Sequence, residues 1–285
     1  MQDLIELYRG LDRKDECILN AIFDNMWDFE YVPVHAIARE CGMGEEKIEL
    51  ALKKLGGMRI TENKYTEYLG ASFTFKGLSV FSLKRLVNKN AISMLGNIMG
   101  EGKESVVYNA MSERYGEVVV KFHRVGYPSF KKVKEKRDYG SLHYTVLTVR
   151  SAKREYAALK KLYGYASVPQ PVAWEGNAVV TRLIDAKELF RVKISNPEDV
   201  LDMILEEIRK MYSRGIVHGD LSQFNILVNS DGVWIIDFPQ SVDTKDPMAQ
   251  EYLERDVKNV LDYFERTYRL KKDLKEVMEY IKDEA

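Results

Sequence analysis

The sequence predicts an α+β fold in two parts, a helical N-terminal region over residues 1–90 and a two-lobed region over residues 91–285. Three observations support this fold class. Apolar residues recur with a helical period in the first region, short strand-like runs begin near residue 91, and longer helical patterns follow them. The chain of 285 residues is 45% hydrophobic and 31% charged, the balance of a globular protein that can bury a sizeable core.

The N-terminal region has the pattern of a winged helix-turn-helix. A short turn with two glycines, Cys41–Gly44, separates two helical patterns, and the second helix is expected over Glu45–Leu55. Two short strands around a polar tip are then expected at Met58–Thr61 and Ala71–Phe75, and a further helix at Gly77–Lys89. A helix pair followed by a two-stranded ribbon is the element order of a winged helix domain.

The second region places strands before helices. Strands are expected at Ser105–Ala110, Glu117–Phe122, Ala178–Leu183 and Gly232–Ile236. Helices are expected at Ala152–Leu162, Pro197–Arg214 and within Asp246–Ile281. The stretch Val125–Tyr144 is rich in Lys, Gly, Ser and Tyr and has no clear period, so it is expected to be a long surface loop. We place the N-lobe at about residues 91–182 and the C-lobe at about residues 183–285.

Composition excludes several classes of protein. Lys and Arg total 43 and Asp and Glu total 44, so the net charge of −1 excludes a polyanion binder of high pI but not a local basic patch. Cys17 and Cys41 have no C-x-x-C spacing, which argues against a disulfide framework or a zinc module and predicts a reducing, cytoplasmic location. No apolar run approaches the roughly 18 residues of a transmembrane helix, and the first residues lack the features of a signal peptide.

The strongest chemical pattern is the run His218–Asn225, which reads H-G-D-L-S-Q-F-N, together with Asp237 after the next strand. In phosphoryl transfer, an aspartate in the position of Asp220 orients the attacking hydroxyl and accepts its proton. Asn225 and Asp237 are oxygen ligands of the kind that hold Mg²⁺, or Mn²⁺, against phosphates. Asp220 or Asn225 taken alone is better explained as a residue that stabilises a turn. The complete array favours phosphoryl transfer.

A second pattern is a glycine loop before an expected strand, with the sequence Gly100-Glu101-Gly102-Lys103-Glu104-Ser105. Glycine lets the backbone approach a phosphate closely because it has no Cβ. The loop is not a Walker A motif, because Lys103 is followed by Glu104 rather than by Ser or Thr. Taken alone, it is equally compatible with a Gly-rich hairpin turn.

A third pattern is a lysine at the end of an apolar run. Lys121 follows Val118–Val120 and lies 21 residues beyond Gly100, where a kinase places its phosphate-binding lysine. A solvated charge at a strand end is the alternative. A phosphate-binding lysine needs a helix carboxylate to hold it, and Glu155 is the best-placed candidate. The alternative for Glu155 is a solvated helix face.

Together these motifs resemble the RIO family of atypical serine/threonine protein kinases, and the N-terminal winged helix is similar to the Rio-two type. The resemblance covers nearly the whole chain and also includes the runs Leu183–Leu189 and Ile236–Gln240. The short segment beyond the kinase core resembles archaeal members. The resemblance implies a trimmed two-lobed protein-kinase-like domain that binds ATP and Mg²⁺.

The resemblance also implies roles for single residues that bind the nucleotide. The Gly100–Ser105 loop and Lys121 would contact the ATP phosphates, and Glu155 would orient Lys121. The backbone near Arg182 and Ile184 would hold adenine.

Further roles follow from the resemblance for the chemical step. Asp220 would be the catalytic base, and Asn225 and Asp237 would be the metal ligands. Asp237 would also carry an aspartyl-phosphate, as in ATPases to which the family is similar. Ser129 is the expected autophosphorylation site, because it lies in the loop beside the nucleotide lobe.

The sequence departs from ordinary protein kinases in three places. His218-Gly219-Asp220 replaces H-R-D, Asp237-Phe238-Pro239 replaces D-F-G, and no A-P-E follows. Only 48 residues remain after Asp237, which leaves no room for an activation loop and a large peptide-binding subdomain. This argues against ordinary phosphorylation of peptide substrates.

Two other function classes remain open from the sequence. A small-molecule phosphotransferase of the aminoglycoside or choline kinase sort also uses H-G-D-x-x-x-x-N, but the winged helix is foreign to that group. A DNA-binding regulator with an inactive kinase-like domain would explain the winged helix. However, residues 1–90 contain 13 Lys and Arg against 14 Asp and Glu, which argues against sequence-specific DNA binding.

The resemblance implies a partner, the precursor of the small ribosomal subunit with its rRNA and ribosomal proteins, and no membrane. The most basic stretch is Lys121–Asp138, with seven Lys and Arg against two Asp and Glu. Contact with RNA or ATP phosphates and a merely solvated loop are equally compatible with that stretch.

Overall fold

The computed structural model describes residues 4–65, 67–124 and 144–283. These residues form two compact units. The first unit is Met1–Lys153 with Ala173–Val180, and the second is Arg154–Val172 with Thr181–Ala285. None of the helices within the described ranges has the length and apolar character needed to cross a membrane.

The first unit begins with the predicted winged helix. Its elements are α1 (Leu4–Arg9), α2 (Arg13–Asn25), β1 (Val32–Pro33), α3 (Val34–Cys41), α4 (Glu45–Gly57), β2 (Thr61–Tyr65), β3 (Leu69–Phe73) and α5 (Phe75–Asn88). The strands form an antiparallel sheet in the order β1-β3-β2. Ile18, Ile37, Leu52 and Phe73 are fully or almost fully buried and contribute to its core. The helix pair and a two-stranded ribbon occur as predicted, but the strand bounds differ. The strand predicted at Met58–Thr61 shares only Thr61 with β2, and the strand predicted at Ala71–Phe75 ends at Phe73 because α5 begins at Phe75.

Side chains at two helix starts explain why these helices begin where they do. Asp12 Oδ1 accepts the N–H groups of Lys14 and Asp15 over 2.8 and 2.9 Å, and the Asp15 carboxylate accepts the Asp12 N–H over 3.0 Å. This reciprocal capping box starts α2. The Thr74 hydroxyl accepts the Gly77 N–H over 2.9 Å at the start of α5. Both caps satisfy N–H groups that have no partner inside the helix.

The two cysteines of the chain form a disulfide between α2 and α3. The Cα atoms of Cys17 and Cys41 are 5.8 Å apart, within the range that a disulfide spans. The argument against a disulfide, which relied on the lack of C-x-x-C spacing, is therefore wrong for this pair. Spacing along the sequence does not restrict the pairing of residues on two helices that pack side by side.

A five-stranded sheet follows the winged helix. Its strands are β4 (Met94–Glu101), β5 (Ser105–Ser112), β6 (Gly116–His123), β7 (Pro171–Glu175) and β8 (Ala178–Arg182), in the spatial order β4-β5-β6-β8-β7. In β6 the buried residues Val118, Val120 and Phe122 alternate with less buried ones, so Lys121 lies on the opposite face. The sequence did not predict β4, because most of its side chains are exposed and leave no alternating pattern.

Helix α6 (Tyr144–Leu162) begins earlier than the predicted start at Ala152. The Tyr144 hydroxyl donates to the Phe73 carbonyl over 3.0 Å, and its ring centroid lies 4.6 Å from that of Phe75. Burial raises the pKa of Tyr144 well above its usual value. The rest of the predicted surface loop lies outside the described residues.

The second unit continues with short strands and three helices from residue 187 onward. Its elements are β9 (Lys187–Glu188), a 3₁₀ turn (Leu189–Arg191), α7 (Pro197–Ser213), β10 (Ile216–Val217), β11 (Ile226–Asn229), β12 (Gly232–Ile235), β13 (Val242–Asp243), α8 (Ala249–Tyr268) and α9 (Leu274–Lys282). The strands form two small antiparallel sheets, β12-β11-β9 and β10-β13. Helices α7, α8 and α9 pack against one another, and the catalytic-loop candidate His218–Asn225 lies between β10 and β11.

Candidate active site

In the first unit, the Gly100–Ser105 loop joins β4 to β5 as a tight hairpin connection. The Gly102 N–H donates to the Ser105 carbonyl over 2.9 Å. A Cβ atom added to Gly100 would meet no atom of the chain within 4 Å. The packing of the chain therefore does not require glycine at that position, which fits a backbone that leaves room for a ligand.

Lys121 and Ser105 lie on one face of the sheet formed by β5 and β6. Val107 is directly opposite Lys121, and Ser105 is two residues before Val107 on the same strand. Side chains two residues apart on a strand share a face, and diagonal neighbours on paired strands lie about 7–8 Å apart. The structure therefore brings together the serine and the lysine that the sequence predicts to contact phosphates.

In the second unit, hydrogen bonds fix the position of Asp220. Asn225 Nδ2 donates to the Asp220 carbonyl over 2.9 Å, and Gln240 Nε2 donates to Asp220 Oδ2 over 3.3 Å. His218 Nδ1 accepts the Asp220 N–H over 3.3 Å, and His218 Nε2 lies 3.0 Å from the Ile236 carbonyl oxygen. This pattern assigns the Nε2–H tautomer to His218. Asp220 itself is exposed, where an acceptor hydroxyl can reach it.

The glycine of the H-G-D motif is required by the backbone. Gly219 has a φ of +80°, a region that residues with a Cβ rarely adopt. A Cβ atom at Gly219 would also lie 2.7 Å from the Gln240 carbonyl oxygen. The arginine of the H-R-D motif does not fit here, so this departure from ordinary protein kinases has a steric cause.

The two metal-ligand candidates lie at the base of one β-hairpin. Strand β11 begins directly after Asn225, and β12 ends one residue before Ile236, which precedes Asp237. The Ile236 N–H donates to the Asn225 carbonyl over 3.0 Å and closes the hairpin. Because Asn225 Nδ2 is bound to the Asp220 carbonyl, its amide oxygen is left as the ligand atom. Asp237 has a φ of +72°, a conformation that Asp tolerates better than most residues.

Sequence reasoning missed a group of polar residues on α8 that holds the catalytic loop. Asp256 accepts the Gly219 N–H over 2.7 Å and the Leu221 N–H over 2.9 Å through its two carboxylate oxygens. Asn259 Nδ2 donates to the Leu221 carbonyl over 3.0 Å, and the Arg255 guanidinium donates to the Gly219 carbonyl. These bonds fix the backbone on both sides of the catalytic-base candidate.

The carboxyl group of Asp256 is strongly affected by its surroundings. Burial raises its pKa to about 6, although the N–H groups of Leu221 and Gly219 and the nearby charge of Arg255 favour the ionised form. A signal for this residue was present in the sequence, because Asp256 interrupts the apolar face of α8 next to Val257. A buried acid on an apolar helix face needs hydrogen-bond partners.

Among the remaining predicted site residues, only Glu155 has surroundings that the structure describes in a way that separates its alternatives. Glu155 is 4% exposed, so the alternative of a solvated helix face is wrong. Glu155 and Lys121 belong to different units, and their pairing stays a prediction. The binding of adenine near Arg182 and Ile184 also stays a prediction. Ser129 lies outside the described residues.

Comparison with known proteins identifies the family. Residues 106–277 match the RIO domain family, and residues 8–89 match the Rio2 N-terminal family. The chain is 34% identical over 269 residues to the RIO-type serine/threonine-protein kinase Rio2 of Methanocaldococcus jannaschii, a match that covers 88% of this chain and 98% of that protein. It is 32% identical over 280 residues to the serine/threonine-protein kinase rio2 of Schizosaccharomyces pombe, covering 95% of this chain and 81% of that protein.

Solved structures agree with this result. The Rio2 kinase of Chaetomium thermophilum, in a complex described as ADP/Mg²⁺-phosphoaspartate, matches with a TM-score of 0.82 at 27% identity, over 98% of this chain and 90% of that one. The match confirms the predicted fold class, a winged helix followed by a kinase-like domain. It also favours a protein kinase over a small-molecule phosphotransferase. The chain therefore belongs to the RIO family of serine/threonine-protein kinases, and within it to the Rio2 type.

Proposed function

We propose that the chain is an ATP- and Mg²⁺-dependent kinase that also hydrolyses ATP through a transient phosphate on Asp237. The observation that carries this proposal is the β11–β12 hairpin, which holds Asn225 and Asp237 together while Asn225 also fixes the backbone of Asp220. The phosphoaspartate in the Rio2 kinase complex of Chaetomium thermophilum supports the proposal.

The donor set of this pair fits Mg²⁺. The described part of the chain contains no group of three or more His, Cys, Asp or Glu side chains that could hold a metal ion. One amide oxygen and one carboxylate are nevertheless sufficient for Mg²⁺, which takes its other ligands from water and phosphate oxygens. When bound, the ion would neutralise charge on the transferred phosphate. Mn²⁺ has similar ligand preferences and is the alternative ion.

The residues proposed to bind the phosphates lie in the first unit, whereas Glu155, Arg182 and Ile184 belong to the second. Backbone groups of the Gly100–Ser105 loop, the Ser105 hydroxyl and the Lys121 ammonium would bind phosphate oxygens, with Glu155 orienting Lys121. The backbone near Arg182 and Ile184 would bind adenine.

The proposed hydrolysis has two balanced steps. In the first, an Asp237 carboxylate oxygen attacks the γ-phosphorus, a new O–P bond forms, the bond to the β-phosphate oxygen breaks, and ADP leaves. In the second, Asp220 takes a proton from a water molecule as the water oxygen attacks the acyl phosphate, which releases inorganic phosphate and restores the Asp237 carboxylate. For a serine or threonine acceptor, Asp220 would accept the hydroxyl proton in the same way.

Variants of the two aspartates test the proposal. Asp220→Asn should bind ATP and still form the phosphoenzyme, but its turnover should fall about 10²–10⁴-fold because general-base catalysis is lost. Asp237→Ala should lose the hydroxylamine-sensitive phosphate that an acyl phosphate gives. Labelling with radioactive ATP, followed by hydroxylamine treatment, measures both. Asp231→Asn, in the exposed turn of the same hairpin, is the control. A hydroxylamine-sensitive phosphate that persists in Asp237→Ala would exclude this residue as the carrier.

Autophosphorylation and the cellular role are finer parts of the proposal. Ser129 is the proposed autophosphorylation site, and mass spectrometry after incubation with Mg-ATP tests it. Phosphate found only at other residues would refute the site.

The proposed role is in maturation of the small ribosomal subunit in the cytoplasm, with ATP turnover as a timing switch. Its support is the membership of the Rio2 type and the basic stretch Lys121–Asp138.

A further inference from the structure

A series of polar contacts, buried from helix α5 of the winged helix as far as His123 and exposed beyond it, leads to the glycine loop within the first unit. Its centre is Asn177, which lies in the turn between β7 and β8 and is 0% exposed. Ser82 on α5 is also 0% exposed, and His123 at the end of β6 is 2% exposed. Because buried polar groups are costly unless they are hydrogen-bonded, such a series restricts its members to one arrangement.

On one side, Asn177 is bound to α5. Ser82 Oγ lies 2.8 Å from Asn177 Oδ1 and accepts the Asn177 N–H over 3.1 Å, and Asn177 Nδ2 lies 3.1 Å from Ser79 Oγ. The preceding residue, Gly176, has a φ of +49°, and a Cβ atom there would clash with the Ser82 hydroxyl. The turn and the helix therefore pack closely, and the Ser82 side chain fills the space that a Cβ at position 176 would need.

On the other side, Asn177 satisfies both backbone groups of His123. The His123 N–H donates to the Asn177 carbonyl over 2.8 Å, and Asn177 Nδ2 donates to the His123 carbonyl over 2.7 Å. His123 lies two residues after Lys121 on β6. Asn177 therefore fixes the end of the strand that carries the phosphate-binding candidate.

The next residue, Arg124, forms hydrogen bonds with the Gly100–Ser105 loop. Its N–H donates to the Glu104 carbonyl over 2.7 Å. Its Nη2 donates to the Gly102 carbonyl over 2.5 Å and pairs with Glu101 Oε1 over 3.0 Å. One residue thus holds the loop on both sides of Lys103, and the position of that residue is set by its neighbour His123.

A second tie holds the same turn against α5. Arg85 Nε donates to Glu175 Oε2 over 2.7 Å, and Lys89 also pairs with the Glu175 carboxylate. Glu175 is 7% exposed, so these pairs are screened less than surface ion pairs. Helix α5 therefore holds the β7–β8 turn at two points, through Asn177 and through Glu175.

We infer that Arg124 and Asn177 are positioning residues for the nucleotide phosphates, and that the winged helix is a structural part of the ATP site. The inference rests on the proposed role of the Gly100–Ser105 loop. A loop that is ordered before the ligand arrives loses less conformational freedom on binding, and the affinity for the ligand is higher for that reason. Loss of the Arg124 contacts, or of the Asn177 contacts that hold His123 beside it, should lower the binding affinity for the nucleotide phosphates. The affinity for the nucleoside part should not change.

The test compares a ligand that has phosphates with one that lacks them. Calorimetry on the full chain measures the dissociation constants of Mg-ADP and of adenosine. Arg124→Gln and Asn177→Ala should each weaken Mg-ADP about tenfold, because each loses at least one hydrogen bond of a charged or buried group. Adenosine binding should not change. Arg114→Gln, an exposed arginine at the β5–β6 turn, is the matched control and should not change either constant.

Several outcomes would overturn the inference. An equal loss of ADP and adenosine affinity would indicate general destabilisation rather than positioning. Unchanged ADP affinity in a folded Arg124→Gln protein would show that the Arg124 side chain does not position the loop for phosphate binding. If Asn177→Ala does not fold, Ser82→Ala replaces it, and hydrogen exchange at the Gly102 amide is measured. Faster exchange at Gly102 supports the connection to α5, and unchanged exchange contradicts it.

A further variant separates this inference from the proposed function. Lys121→Met should weaken Mg-ADP if the first unit binds phosphates as proposed. If Lys121→Met has no effect, the proposed phosphate site is wrong. If Lys121→Met weakens Mg-ADP while Arg124→Gln and Asn177→Ala do not, only the positioning role is wrong.

Discussion

Burial of one carboxyl group, that of Asp256, links the stability of the second unit to pH. Its pKa is raised from about 3.8 to about 6 in the folded chain, chiefly by burial. Between these two values the folded state binds a proton at Asp256 that the unfolded state does not bind. The free energy of unfolding should therefore fall by up to about 3 kcal/mol as the pH rises from about 4 to about 6. The contribution is fully present below pH 4 and lost above pH 6.

A substitution isolates this contribution from other groups that titrate in the same range. In Asp256→Asn the fall in stability between pH 4 and 6 should be smaller than in the wild-type chain, because the titrating group is absent. Urea unfolding at several pH values measures the difference between the two curves. Asp262→Asn, an exposed position on the same helix, should follow the wild-type curve. Identical pH slopes for Asp256→Asn and the wild type would contradict the pKa of about 6.

Which site residues could be predicted at this scale depends on their distance along the chain. The grouping of the candidates Asp220, Asn225 and Asp237 was predictable because one loop and one hairpin hold them, and the spacing in the sequence reports that local structure. Asp256 was not predicted, because it meets Gly219 from 37 residues away and no local spacing records such a contact. The requirement for glycine at position 219 likewise depends on Gln240, which only the folded chain brings close.

At the scale of secondary structure elements, the Cys17–Cys41 disulfide joins α2 to α3 in the helix pair of the winged helix. It closes a segment with a sequence separation of 24 residues. Loop-closure entropy for that length corresponds to about 3 kcal/mol of stabilisation. Cys17→Ser with Cys41→Ser, or reduction of the wild-type chain, should lower the free energy of unfolding by about this amount.

Thiol reagents check this prediction directly. Urea unfolding with and without a reductant should differ for the wild-type chain and should be identical for the double serine variant. Equal stability of the wild-type chain with and without reductant would show that the two helices are held by packing alone.

The elements themselves were predicted unevenly, for a physical reason. Helix α7 and strand β6 alternate buried and exposed residues with a regular period, and both were predicted to within about two residues. Strand β4 was missed because its side chains are exposed, with Leu95 the partly buried exception. The start of α6 was missed because Tyr144 is held there by contacts with β3 and α5, which a local pattern does not contain.

At the scale of the whole molecule, the uneven distribution of charge predicts how the proposed binding of small-subunit precursor RNA should depend on salt. The net charge is −1, and the winged helix region is itself slightly acidic, whereas Lys121–Asp138 carries a charge of +5. Binding that neutralises phosphates releases counterions, so its affinity falls with salt along a log–log slope set by the number of phosphates contacted. Charge reversal at Lys131, Lys132 and Lys134, which lie outside the described residues, should reduce this slope for a small-subunit precursor.

The matched control is charge reversal at Lys47 and Lys53, two exposed lysines of α4, which should reduce the slope less. Lys54 is unsuitable as a control, because it pairs with the buried Asp15 over 2.6 Å and its reversal would disturb folding. A salt titration of both variants on small-subunit precursor and on duplex DNA makes the measurement. Tight, sequence-selective duplex binding that depends on Lys47 and Lys53 would favour a DNA-binding regulator instead.

The sequence predicted the winged helix and the kinase-like domain but not their organisation into compact units. The winged helix and strands β4, β5 and β6 belong to one unit. The contacts that join α5 to the β7–β8 turn connect residues that are far apart in sequence. Ser82 and Asn177, for example, are separated by 95 residues. A domain boundary predicted from local composition cannot take such long-range contacts into account.

The β11–β12 hairpin also makes the enzyme suitable for labelling. Its base carries Asn225 and Ile236-Asp237, while Ser230 and Asp231 at the opposite end are exposed. Added residues in an exposed turn lengthen the loop at little cost and do not shift the paired strands. A short Gly-Ser peptide tag inserted between Ser230 and Asp231 should therefore leave ATP turnover unchanged, as a phosphate-release assay would measure. The same tag inserted between Phe238 and Pro239 should abolish turnover, so the chain offers a permissive site for a fluorophore within one short hairpin of its metal-ligand candidates.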